Sequence, residues 1–420
     1  MYENKKQIGQ CLMFNVFVER QMKKFAVIMS LIVAVVLVAW AAATMAGPDE
    51  SPIRVGVILP LTGDLSKFGN IEKNSFVMGL EEINAAGGAN GRPIELLFAD
   101  DASKAVTGRS AAEKLIEQDK VIALTGGYSS EVTLAVASEA DRRKIPLLIT
   151  TGSADMITEI DWDYVFRINQ PISEYSKTLI EFFQEVLELK SVVILHDNGL
   201  FGRSGAIEFS EQASALGWKI VRQESYEPGT LDFKPLLTKA NAAKPDAVYM
   251  ISYVNEAALL LKQSKELNLT PKVFAGAGAG FTLPAFLELA GSAAENVLSA
   301  TLWTPQLPYP GAKEYYNNYL RRFGSATDYH GAEAYASIHV IADALKRTRE
   351  LTPQGVREAL VRTNMMTAFG PVRFISYGKK RQQNSLPTYV VQWQKGVLET
   401  VWPAIIATKP FVFPSQTELR

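Results

Sequence analysis

Two rhythms of apolar and polar positions alternate along most of the chain. Ile53-Arg-Val-Gly-Val-Ile-Leu alternates and is rich in β-branched residues, which predicts a first strand. An apolar stripe of Phe76, Leu80 and Ile83 then predicts a helix over about Ile71–Ala86, stopped by Gly87-Gly-Ala-Asn-Gly91. Ile94-Glu-Leu-Leu-Phe-Ala reads as a second strand, and a helix over about Ala105–Gln118 leads to Val121. Between Val121 and Asp155 one junction occurs twice: a short apolar strand runs into small and hydroxyl residues and then into a helix. The first N–H groups of a helix lack internal partners and carry partial positive charge. Two such starts side by side make a site for one small anion, most simply a carboxylate.

The rhythm resumes after Tyr164-Val-Phe-Arg-Ile and a helix bearing Leu179, Phe182 and Phe183. Ser191-Val-Val-Ile-Leu-His opens a second series, with strands near Trp218-Lys-Ile-Val, Ala247-Val-Tyr-Met-Ile and Lys272-Val-Phe-Ala. Helices near Ser204–Leu216, Asp232–Ala243 and Glu256–Leu267 alternate with them. Strands and helices in this order predict α/β architecture: two doubly wound, parallel-sheet lobes, with ligands beyond the carboxyl ends of the strands. The last third is less regular, with helices over Ala312–Phe323 and Ala332–Thr348, another from Thr352-Pro353, and late strands at Gly370-Pro-Val-Arg-Phe and Thr388-Tyr-Val-Val-Gln-Trp.

Length and charge narrow the function. A chain of 420 residues suffices for two cores, and 43 basic against 44 acidic residues give no reason to expect nucleic acid or an anionic membrane as partner. Cys11 is the single cysteine, so neither an intramolecular disulfide nor a cysteine metal site is available. His196, His330 and His339 lack metal-ligand spacing, and there is no Gly-x-Ser-x-Gly turn. No catalysis, metal or cofactor is therefore expected. Lys23-Lys24, the apolar run Phe25–Trp40 and the small residues Ala41–Gly47 have the three parts of a secretory signal, cleaved after Ala46 or, second choice, Ala43. Met22 is the expected start, which makes Met1–Gln21 an extension, and an uncleaved anchor is the rival reading. No cysteine follows the apolar run, which excludes lipoprotein processing.

Val57-Ile-Leu-Pro-Leu-Thr-Gly, Phe68-Gly, Ile83-Asn-Ala-Ala-Gly-Gly-Ala-Asn-Gly91 and Ala99-Asp-Asp101 together resemble the opening of the leucine/isoleucine/valine-binding proteins. Tyr128-Ser-Ser, Ile149-Thr-Thr-Gly-Ser-Ala, His196-Asp with Phe201-Gly, and Asp232-Phe continue the match in order, over roughly Ile53–Trp402. The resemblance implies the type I periplasmic-binding fold, two α/β lobes joined by three crossings that close on a solute and present it to the inner-membrane permease of an ATP-driven importer. It implies these divisions: 1–46, extension plus signal peptide; 53–170 with 303–371, first lobe; 171–302 with 372–404, second lobe; 405–420, tail. A monomer in the periplasm, binding a small amino acid or related carboxylate or amide, is the expectation. The alternative is a membrane-tethered sensing module of the same fold, with an enzyme ranked below both.

By the same resemblance, Ser129 and the backbone of Gly152, Ser153 and Ala154 would hold the solute's carboxylate, with Tyr128 and Phe68 beside them. Phe201, Tyr253 and Ala277 would face them from the other lobe. The family's second hydroxyl falls on Ala154, its phenol on Phe201, and its amine-binding acid near Ala277, within Ala275-Gly-Ala-Gly-Ala-Gly280. A buried ammonium needs a counter-charge. Either Glu256 or Glu333 supplies one, or the solute carries no amine.

Overall fold

The computed structural model describes residues 19–35 and 51–413, in two units that divide at Ser51. The first unit contributes one helix, α1 (residues 19–35), which is exposed along its length. No helix among the described residues is long and apolar enough to cross a membrane. Cys11, the cleavage sites after Ala43 or Ala46, and residues 414–420 of the expected tail lie outside the described residues.

The second unit holds two seven-stranded sheets. β1 (Ile53–Leu59), β2 (Ile94–Asp100), β3 (Ala123–Gly126), β4 (Leu147–Ile149) and β5 (Val165–Arg167) form the first, in the order β2-β1-β3-β4-β5. β6 (Ser191–Asp197), β7 (Lys219–Tyr226), β8 (Ala247–Ile251), β9 (Val273–Gly276) and β10 (Leu298–Thr301) form the second, in the order β7-β6-β8-β9-β10. The two orders are the same winding, and every pairing within these sets is parallel. β3, β4 and β8 are buried along their whole length because helices cover both faces, which is why they read as unbroken apolar runs. The helices are α2 (Ser66–Ala85), α3 (Ala105–Glu117), α4 (Ser130–Arg142), α5 (Ile172–Phe182), α6 (Leu200–Ala215), α7 (Lys234–Ala242), α8 (Val254–Glu266), α9 (Pro284–Ala290), α10 (Ala312–Phe323), α11 (Tyr329–Arg347) and α12 (Pro353–Val361).

The last third completes both sheets. β11 (Met365–Thr367) and β12 (Gly370–Val372) pair only with each other. β13 (Ile375–Tyr377) and β14 (Lys380–Gln383) form a hairpin that joins β5 of the first sheet, whereas β15 (Tyr389–Gln394) and β16 (Val397–Trp402) add antiparallel to β10 of the second. The expected span 372–404 assigns all of these strands to the second lobe; the hydrogen bonds seat Ile375–Gln383 on the first. The chain passes between sheets three times, at residues 168–171, 302–311 and 384–388.

Helices α2 and α11 pack closely on the first lobe. A Cβ on Gly79 would fall 2.6 Å from Ile338 Cγ2, so a side chain there would force the helices apart. α2 begins at Ser66, earlier than Ile71, which places Phe68 on a helix rather than in a loop. α11 begins at Tyr329, earlier than Ala332, because the Asp328 side chain accepts from the His330 N–H and caps it. Both shifts bring side chains to the cleft between the sheets.

Candidate ligand-binding site

The segments singled out in the sequence all follow carboxyl ends of strands. Tyr128 and Ser129 come after β3, Gly152–Ala154 after β4, Phe201 after β6, Tyr253 after β8 and Ala277 after β9. With the sheets wound alike, the two sets of ends face each other across the cleft, where open α/β sheets place their ligands. Ser129 is the N-cap residue of α4, yet its side chain makes no capping bond. It lies alongside the Tyr253 phenol, which is itself the N-cap residue of α8. One helix start from each lobe thus meets the other.

The loop after β4 is held from below. Arg167 is fully buried and donates through Nη1 to the carbonyls of Gly152 (3.0 Å) and Ala154 (2.8 Å), and through Nε to Gln383 of the β13–β14 hairpin (2.7 Å). Burial pushes the Arg167 guanidinium below its ordinary value, partly opposed by Asp155. The loop's own N–H groups are largely taken up: Gly152 donates to the Gly127 carbonyl (2.9 Å) and Ala154 to the Ser130 hydroxyl (3.2 Å). The Ala154 side chain faces the core with Ile157 and Val165, and a Cβ on Gly152 would fall 2.6 Å from Thr133 Oγ1. Ser153 differs, because it lines the cleft.

Aromatic rings fill the centre. Phe68 stacks on Tyr128 with centroids 4.4 Å apart, and Tyr128 sits 5.9 Å from Tyr253, which is 5.3 Å from Phe201. His330 stacks on Tyr329 at 3.9 Å and lies 5.5 Å from Tyr128. Its Nδ1 is 2.8 Å from Asp328 Oδ2, so that nitrogen donates to the carboxylate. Nε2 and the Tyr128 hydroxyl are both buried with no hydrogen-bond partner among the described residues. Polar ties already span the cleft: Ala279 N–H donates to the Tyr329 hydroxyl (2.8 Å), Thr282 Oγ1 to Asp328 Oδ2 (2.7 Å) and Leu200 N–H to Glu131 (3.3 Å).

Beneath the centre lie two buried carboxyl groups. Glu72 accepts from Thr150 Oγ1 (2.7 Å) and Thr151 Oγ1 (2.9 Å), and Glu333 lies 3.4 Å from the same Thr151 oxygen. Burial pushes Glu72 up to about 8, the two threonine hydroxyls opposing it. Burial and the nearby Glu72 push Glu333 well above the ordinary carboxylate range, which favours its uncharged form.

Two cavities share Phe201 and Tyr253. The inner one, about 10 Å³, is lined also by Tyr128, Ser130, Thr151, Ser153, Tyr175, Ala279, Tyr329 and His330, and is just large enough for one water. The outer one, about 110 Å³, adds Ser129 and opens at the mouth of the cleft. A larger cavity of about 340 Å³ lies by the second crossing, between Trp303 and Trp393. Its indole N–H groups are bonded to the Ala368 and Phe281 carbonyls, its Asp328 to Thr282 and His330, and no residue of the loops after β3, β4, β6 or β8 lines it. The smaller pair is the better site. Ser129, Tyr128, Ser153, Phe201 and Tyr253 line it; Phe68 backs Tyr128, while Gly152, Ala154 and Ala277 line neither cavity. Sequence reading missed Ser130, Thr151, Tyr175, Tyr329 and His330. Asp328 as a helix cap was the available signal for the last two.

The glycine string after β9 has a steric role. Gly278 has φ +73°, and a Cβ there would press on Tyr175 and Tyr329 at 3.1 Å. A Cβ on Gly280 would fall 2.5 Å from the Tyr253 carbonyl carbon. The string lets the loop lie directly against the backbone that carries Tyr253.

The profile of the periplasmic binding protein family matches residues 52–397. The Leu/Ile/Val-binding protein homolog 7 of Brucella suis is 26% identical over 397 residues, covering 89% of this chain and 97% of that protein. The branched-chain amino acid transporter substrate binding protein LivJ of Streptococcus pneumoniae, solved in complex with isoleucine, superposes with a TM-score of 0.77 at 26% identity, covering 84% of this chain and 100% of that one. The solute binding protein of an ABC transporter from Rhodopseudomonas palustris, solved with 3,4-dihydroxy benzoic acid, shares the fold with a TM-score of 0.74 at 23% identity, covering 87% and 99%. By its matched span and its twin sheets, the chain belongs to the periplasmic binding protein family, whose members are solute-binding proteins and not enzymes.

Proposed function

We propose that this protein captures a small solute bearing a carboxylate or amide between its lobes and presents the closed form to the inner-membrane permease of an ATP-driven importer. The observation that carries this reading is the meeting of Ser129 and Tyr253, one helix start from each lobe, on a shared cavity. An anion bonded to the Ser129 hydroxyl and the free N–H groups of the first turn of α4 gains from both the hydrogen bonds and the helix dipole. Contacts from both lobes to one solute favour the closed arrangement over the open one, and closure is what a permease can read. The signal-like N-terminus and the family support a periplasmic location, and a monomer is the proposed working form.

The inner cavity is nearly filled by side chains, so a solute larger than water displaces the Tyr253 or Phe201 ring or enters from the outer cavity. Binding is tested by a thermal-shift screen of amino acids, aromatic acids and amides, followed by calorimetry on the best compound. Ser129→Ala is expected to weaken that binding by about 1–2 kcal/mol, the scale of one charged hydrogen bond. Unchanged affinity removes Ser129 from the site.

A further inference from the structure

The inner cavity has two polar atoms in its wall that the fold leaves unmet. Tyr128 and His330 both line it, their rings 5.5 Å apart, and Tyr128 is 4% and His330 0% exposed. The Tyr128 hydroxyl and His330 Nε2 are sealed from solvent, with no hydrogen-bond partner among the described residues. Other polar groups of the same wall are already engaged. Ser130 Oγ accepts from the Ala154 N–H (3.2 Å), and Thr151 Oγ1 donates to Glu72 (2.9 Å). The Tyr175 hydroxyl donates to Asn169 (2.9 Å), and the Tyr329 hydroxyl accepts from the Ala279 N–H (2.8 Å). His330 is not free to turn toward a partner, because Asp328 holds its Nδ1 while Tyr329 and Phe68 flank its ring. A buried polar atom left unmet costs as much as a lost hydrogen bond, so two beside one cavity call for an explanation.

We infer that the inner cavity receives a hydroxyl group of the solute, bonded at once to the Tyr128 hydroxyl and His330 Nε2. The inference rests on the cleft being the solute site and names the chemistry of the solute's far end, away from Ser129. Size and hydrogen-bonding character together select the group. About 10 Å³ admits one oxygen-sized atom, too little for a whole carboxylate or primary amide. A hydroxyl both donates and accepts through that single atom. Burial pushes the Tyr128 phenol well above its ordinary value, so it keeps its proton and can donate to the solute oxygen. The solute hydroxyl then donates to Nε2 of a neutral imidazole. In a protonated imidazole Nε2–H donates instead and the phenol oxygen accepts, so a hydroxyl serves in either state. A carbonyl oxygen only accepts, an ammonium only donates, and a methyl group leaves both protein atoms unmet. The solute is therefore an acid or amide that carries an alcohol or phenol hydroxyl, not one that ends in bare hydrocarbon.

Isosteric pairs that exchange the hydroxyl for a methyl group test this on the full-length protein. They are 4-hydroxybenzoate with 4-methylbenzoate, threonine with valine, 4-hydroxybutanoate with pentanoate, and tyrosine with 4-methylphenylalanine. Thermal shifts rank the probes on the wild type, and calorimetry gives affinities for those that bind. At least one hydroxyl probe is expected to bind about tenfold or more tighter than its methyl isostere, since a site built for a hydroxyl rejects the analogue without one. In Tyr128→Phe that preference is expected to shrink by about fivefold or more, while the isostere's own affinity stays within about twofold. A general loosening of the cleft would weaken both members of a pair alike. Methyl probes that bind as well as their hydroxyl partners, or a preference that survives whole in Tyr128→Phe, overturn the inference and leave the solute-binding reading intact. No binding by any probe counts against both. The comparison within pairs needs only the wild-type protein, so it stands even where the variant fails to fold.

Discussion

The two cavities that meet at Phe201 and Tyr253 are built differently. The inner one is walled by hydroxyls, phenols and one imidazole, and its nearest carboxyl groups lie buried under Thr151. The outer one is walled by carboxylates at the rim. Burial decides the difference. Glu72 and Glu333 are deep enough to favour their protons, whereas Glu131 is exposed and Glu256 only half-buried. Acidic residues beside one cleft thus differ in setting: Glu72 and Glu333 are sealed in the floor, where burial favours their protons, and Glu131 and Glu256 reach solvent at the mouth.

The largest expected effect concerns the floor. The folded-state pKa of Glu72, about 8, lies above its ordinary value of 4.5, so the fold binds its proton more tightly than the unfolded chain does. The group's contribution is therefore full below the unfolded value and is lost as pH rises toward 8, by roughly 4–5 kcal/mol at 1.36 kcal/mol per unit. Urea unfolding at pH 5, 7 and 9 should show stability falling across this window, with Glu72→Gln flattening the slope. A slope unchanged in the variant removes Glu72 as its source.

Next in size is the loop that seats Tyr253. A Cβ on Gly276 would fall 2.2 Å from the Phe281 ring, so Gly276→Ala should cost about 1–3 kcal/mol in denaturant unfolding, the usual scale for overpacking. A silent substitution would mean that this loop has slack the packing does not show. Thr282→Val removes the bond to Asp328 that ties the lobes beside His330. Its expected effect is about 1 kcal/mol toward the open form, visible as a larger radius of gyration in small-angle scattering. An unchanged radius would show that this bond does not hold the cleft closed.

The smallest effect separates binding from stability at one atom. The Tyr128 hydroxyl is buried without a partner, so Tyr128→Phe should leave stability unchanged or raise it by about 1 kcal/mol. If the inner cavity meets the solute, the same change lowers affinity. A clear loss of stability would instead reveal a bond that this hydroxyl makes within the fold.

Much of this was legible in the sequence, and the rest was hidden for identifiable reasons. β3, β4 and β8 announce themselves because strands covered on both faces read as apolar runs, and β1 does so by its alternation. Ser129, Tyr128 and Tyr253 were named through the family resemblance, and all three lie just past strand ends, where open sheets face their cleft. The hairpin Ile375–Gln383 left no such mark: most of its residues are at least partly exposed, and Lys380-Arg-Gln-Gln carries no apolar alternation. Its placement depends on Gln383 meeting the buried Arg167, a contact no local pattern encodes. Tyr329 and His330 were missed because their helix begins three residues ahead of the expected Ala332, just after the Asp328 cap. Ala154 and Ala277 were chosen because the family's hydroxyl and acid fall on them by the resemblance, and their side chains turn into the core.

The most direct test of the central claim is a crystal structure of the protein with whichever compound gives the largest thermal shift. The account predicts that compound between the lobes, bonded to Ser129 and packed on Tyr253. Density for it behind Trp303, in the 340 Å³ cavity, or outside the cleft altogether, would contradict the account.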